Sequence, residues 1–129
     1  MAEKKDIENR NDLMQIVRLF YDKLLADDTI NYLFTEVAKI DLEPHLEILV
    51  DFWDHILFGS STYRKNAMKP HLDLHTQSPL EEHHFKTWLR YFHESVDHYF
   101  EGKKAFIIKE RAASIATVMR IKIMQQGLL

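Results

Sequence analysis

HLEILVDFWDHIL, residues 45–57, decides the fold, because two apolar rows run through it at helical spacing. His45, Leu49, Phe52 and Ile56 form one row, and Leu46, Val50, Trp53 and Leu57 form the row beside it. Together they make a face too wide for a surface helix, so this helix is largely buried. Its start is predicted at Asp41, with Pro44 tolerated in the first turn, and its end at Gly59-Ser60-Ser61.

Working outward, the same period recurs. Leu13, Ile16, Val17, Phe20 and Leu24, with Tyr21 beside them, predict a helix that Asp12 and Gln15 would open as a capping pair. Asp27 and Asp28 suit the cap of a short turn carrying Ile30, Leu33 and Phe34. Ser78-Pro79-Leu80-Glu81 reads as a helix start, with Ser78 as the cap and Pro79 in first position. Phe85, Trp88, Leu89, Phe92, Val96, Tyr99 and Phe100 follow, closed by Gly102. A last helix is predicted over about 105–126, with Ile108, Ala112, Ile115, Ala116, Met119 and Ile123 inward. Residues 60–78 have weak periodicity and no cap, and are expected as a long loop, a feature that usually carries function.

Only three Gly and three Pro interrupt 129 residues, which favours long helices over a many-stranded fold. Neither a repeat nor a linker divides the chain, so one domain is expected over residues 1–129, its core at about 12–126 behind a short N-terminal extension. Hydrophobic residues at 46% and charged ones at 29% are the balance of a water-soluble globule. A net charge of −3 makes no case for nucleic acid. No signal peptide or membrane span is visible, so the expected compartment is the cytoplasm. Cys is absent, which removes disulfides, thiolate catalysis and Cys-ligated metal from consideration.

Eight His and an aromatic content of 12% are both high. They suit a pocket for something flat, apolar and metal-bearing. Tyr21 and His45 each stand within an apolar stripe, where a polar group is costly unless hydrogen-bonded. Trp88 stands between Phe85 and Phe92 with an indole N–H that needs a partner. Each has a plain structural reading: Tyr21 pointing to solvent, His45 satisfied near a helix start, Trp88 as core. His71, taken by itself, reads first as an exposed loop residue.

The ordered set of motifs resembles the truncated haemoglobins of group III, over about Asp12 to Gln126. Phe20-Tyr21 resembles the family's aromatic pair, whose Tyr faces the distal ligand. The stretch from His45 to Trp53 resembles its distal helix, with His45 as the distal histidine. Tyr63, Asn66, Met68 and His71 fall where the family has its Tyr, Asn, Met and proximal His. The run from His83 to Leu89, with Phe92 and Glu94, resembles the helix bearing the distal Trp, and Arg111 to Ala116 resembles the last helix.

This resemblance implies an all-α globin-like fold, a two-over-two helical sandwich around haem b, with the proximal helix reduced to a loop. It implies His71 as the iron ligand and Tyr21, His45 and Trp88 as groups holding the bound ligand. Cofactor contacts are expected from Phe34, Leu49, Phe52, Trp53, Tyr63, Met68, Phe85, Phe92, Ile115 and Met119. Tyr63, Arg64 and Lys69 are the candidates for the haem propionates. The ligands implied are O₂, NO, CO or peroxide, in a monomer served by a reductase. Oxygen storage, transport or sensing is one reading, and NO dioxygenation or peroxidase-like cleavage is the enzymatic alternative. A zinc or di-iron site built from His71, His75, His83 and His84 is the remote one, since adjacent His83 and His84 diverge on a helix.

Overall fold

The computed structural model describes residues 4–60 and 68–127, and among these every regular element is helical. Helix α1 (Arg10–Leu25) buries Leu13, Ile16, Val17, Phe20, Tyr21 and Leu24, the row the periodicity marks. Its cap differs from expectation. Extended Asn9 accepts from the Asp12 amide at 3.0 Å, so the helix opens three residues earlier. Asp12 is instead a buried carboxylate met by Lys5 Nζ at 3.1 Å and the Glu8 amide at 2.8 Å.

A five-residue π-helical turn, Leu33–Val37, carries Phe34, and its Ala38 amide reaches back to the Leu33 carbonyl at 2.9 Å. Helix α2 (Leu42–Phe58) opens after Asp41 and tolerates Pro44 where amides lack intrahelical partners anyway. Gly59, at φ 70°, closes it in the left-handed conformation that suits glycine. Arg10 ties α1 to α2 by reaching Asp51 at 2.8 Å and Asp54 at 3.0 Å.

The segment expected as a loop is corrected in part. Met68–Gln77 forms a ten-residue helix, α3, which has no buried residue of its own. Its periodicity is weak because its support is not an apolar stripe. Lys69 pairs with Asp73 one turn on at 3.0 Å, and α3 packs on the last helix and on the π turn. The remainder of that segment, residues 61–67 with Tyr63, Arg64 and Asn66, lies outside the described residues.

Helix α4 (Glu82–Tyr99) also starts later than Ser78-Pro79 suggests. Glu81 is the cap, and His84, rather than a carboxylate, returns the bond by accepting the Glu81 amide on Nδ1 at 2.9 Å. His75 does the same for the Leu80 amide, so two imidazoles hold the connection between α3 and α4.

Gly102 does not end α4, which stops before extended Phe100; it precedes α5 (Lys103–Gly127). Its φ is 140°, and a Cβ there would come within 2.7–2.9 Å of Asp6 atoms. That close approach lets the Asp6 carboxylate accept the Lys104 and Ala105 amides, both at 2.9 Å. The N-terminal segment is thus part of the body: Ile7 is buried, and the Lys5 carbonyl accepts from Glu101.

α1 and α2 make one layer, α4 and α5 the other, with α1 crossing α4 at the centre. α3 and α2 both rest on α5. This is the two-over-two arrangement of a globin-like fold. No helix of the described residues is long and apolar enough to cross a membrane.

Candidate functional site

Tyr21 projects from the inner face of α1 and its hydroxyl lies 2.7 Å from His45 Nε2, in the first turn of α2. Burial pushes the Tyr21 hydroxyl well above its ordinary pKa, so it stays protonated. His45 is pushed below the ordinary imidazole range, first by burial and then by the charge of His71. That influence puts His71 on α3 within electrostatic reach of His45 on α2.

Several large apolar side chains on these and neighbouring helices are half-buried rather than sealed. Leu49, Phe52 and Ile56 continue the His45 row of α2; Phe34 meets Tyr21 edge-on at 5.4 Å; Met68 comes from α3. Trp88 and Leu89 on α4 and Ile115 on α5 complete the set. Beneath them Phe85, Ala116 and Met119 form a second small core on which Met68, Trp88 and Ile115 pack.

Large apolar side chains from four helices, left half-covered and flanked by two imidazoles and a phenol, fit a haem. An imidazole such as that of His71 on α3 is a donor type that would suit iron, and a phenol and a neutral imidazole on α1 and α2 can donate hydrogen bonds.

Tyr21, His45, Phe34 and, at longer range, His71 are brought together directly. Leu49, Phe52, Met68, Trp88 and Ile115 share the half-buried surface, with Phe85 and Met119 under it. Trp53 and Phe92 are placed otherwise. At 3% and 1% exposure they belong to the main core, where Phe92 stacks with both Trp53 and Trp88, so they back the site instead of facing it. Tyr63 lies outside the described residues. Lys69 is exposed and paired with Asp73.

Sequence reasoning missed α3, because it read that segment without a helix. It also missed the role of Phe20, whose ring meets those of Tyr21, Trp88 and Phe92 edge-on. As for the His-cluster alternative, no group of three or more His, Asp or Glu suited to a metal ion is gathered among the described residues.

Three comparisons bear on this geometry. The model of the bacterial-like globins matches residues 6–123. The group 3 truncated hemoglobin ctb of Campylobacter jejuni is 26% identical over 112 residues, spanning 84% of this chain and 86% of that protein. The crystal structure of a group III truncated hemoglobin from Campylobacter jejuni superposes with a TM-score of 0.82 at 24% identity, over 94% of this chain and 95% of the other. The group III resemblance read from the motifs is thereby borne out, and with it a haem cofactor and small diatomic ligands such as O₂ at the family level. The chain belongs to the bacterial-like globin family.

Proposed function

We propose that this protein binds haem b through His71 and holds O₂, or a related diatomic ligand, with Tyr21, His45 and Trp88. The reading is supported by the Tyr21–His45 hydrogen bond together with the electrostatic influence of His71 on His45. When bound, the haem would supply the iron to which a diatomic ligand attaches. The chain's own residues do the rest. His71 anchors the group from α3, while Leu49, Phe52, Met68, Trp88 and Ile115 exclude water from its faces. Tyr21 and neutral His45 share one hydrogen bond, and this leaves a further proton on the pair to direct at a ligand. Trp88 offers a second donor from another helix. Hydrogen bonds to a charged acceptor contribute about 1.5–3 kcal/mol each, which is the scale on which these donors would retain the ligand.

The test is the absorption spectrum of the purified, haem-reconstituted protein in ferric, ferrous and ferrous-CO forms, for wild type and His71→Ala. Stoichiometric uptake with an intense Soret band at about 400–430 nm, lost or shifted in the variant, supports the assignment. No uptake by the wild type overturns it, and an unchanged variant spectrum moves the iron ligand elsewhere.

A further inference from the structure

Phe20 occupies a position that the ligand-binding reading does not use. It is 3% exposed, and its ring meets Tyr21 edge-on with centroids 5.4 Å apart and planes at 78°. The same ring meets Trp88 edge-on at 5.7 Å and 78°, and Phe92 at 5.2 Å and 85°. Phe92 in turn lies parallel to Trp88, with an interplanar angle of 8°. Tyr21 belongs to α1 and Trp88 to α4, so their relative placement depends on how those two helices seat.

We propose that Phe20 is a positioning residue, its edge-on contacts fixing Tyr21 and Trp88 relative to one another so that both donors aim at one ligand. The proposal rests on reading those two side chains as donors. The physical basis is angular. An aromatic edge carries positive charge and a face negative charge, so edge-to-face pairs resist rotation in a way that an aliphatic filler of the same volume does not. Tyr21 has a second fixed point in His45, whereas half-buried Trp88 is held by Phe92 on its face and Phe20 at its side. Without Phe20 the indole keeps Phe92 and the phenol keeps His45 and Phe34, and among the described residues no other ring meets both. Close packing turns a small rotation here into a displaced N–H, because a buried ring has few alternative seats.

The test compares Phe20→Leu and Phe20→Met with Phe92→Leu, which removes the stacking partner of Trp88 and no ring partner of Tyr21. In haem-free, full-length protein labelled at tryptophan indole nitrogen and tyrosine ring carbon, Tyr21→Phe and Trp88→Phe identify the two resonances. F20L and F20M are expected to shift both resonances, and F92L the indole alone. In haem-loaded protein F20L raises the O₂ dissociation rate about tenfold, the effect of one misdirected hydrogen bond. Removing Tyr21 and Trp88 donors in that background then adds less than about threefold, a factor worth under 1 kcal/mol. Both resonances unmoved in F20M, or only the Tyr21 resonance moved in F20L, overturns the proposal. Should F20L not fold, the volume-conserving F20M decides alone. Should the chain take up no haem, the donor reading fails while the resonances still decide the positioning.

Discussion

The Tyr21 hydroxyl and His45 Nε2 stand 2.7 Å apart across two helices, and burial keeps both groups neutral. A neutral phenol and a neutral imidazole can exchange donor and acceptor roles without moving a heavy atom. This is what a site needs if it must satisfy its own polar groups when empty and point a proton outward when filled.

Tyr21→Phe keeps the ring among Phe20, Phe34 and His45 and deletes only the hydroxyl. Stability to urea is expected to fall by about 1 kcal/mol, the net worth of one hydrogen bond. In haem-loaded protein the O₂ dissociation rate is expected to rise about tenfold, read by stopped-flow displacement with CO. An unchanged rate means that Tyr21 does not touch the ligand.

Acid should loosen the start of α4. His84 accepts the Glu81 amide on Nδ1, a bond only the neutral ring can make. Burial first, and neighbouring His83 second, hold its pKa below the ordinary 6.5. The unfolded chain therefore takes up the proton more readily than the folded one. The contribution of His84 is complete above pH 6.5 and drains away as the pH falls below it. Urea midpoints measured between pH 7.5 and 5 should fall more in wild type than in His84→Asn, whose side-chain carbonyl accepts without titrating.

Gly102→Ala should cost about 1–3 kcal/mol, the scale of a residue forced into an unfavourable backbone region. Its φ of 140° excludes an L side chain, and the new methyl would press on Asp6. Asp6 is held below the ordinary carboxylate range. Desolvation opposes this, but the Lys104, Ala105 and Ile7 amides outweigh it. Its contribution is thus full above about pH 4 and lost in stronger acid. A Tm for G102A equal to wild type would show that the turn relaxes freely.

Helix α3 buries no residue, so its amides should exchange faster in haem-free protein than those of α1 or α4. Haem addition should slow them, with the largest change around His71. Exchange followed by mass spectrometry reads this directly; an unaltered α3 would separate His71 from the cofactor.

How far the sequence revealed this molecule depends on what holds each element. Two adjacent apolar rows made α2 readable, and Tyr21 and His45 were readable as polar residues set within such rows. α3 was not, because an ion pair and contacts with distant helices support it and leave no periodic imprint. The start of α4 was misplaced by a Ser-Pro pattern that many helices share, while an imidazole closing the capping box has no familiar signature. Trp53 and Phe92 show a different limit of periodicity: it reports which side of a helix a residue occupies and not how deep the side chain sits. The Asp6 contact with α5 joins residues 98 positions apart, beyond the range of any local pattern.

That last contact sets an order of events at the ribosome. Asp6 is made well before its partner amides at Lys104 and Ala105, which follow 98 and 99 positions later. At about 5–20 residues per second the arm waits roughly 5–20 s for them. By then α1, α2 and α4 have been synthesised and can pack together. The segment around Asp6 therefore acts as a latch rather than as a nucleus, and it fastens only once the final helix has begun to emerge.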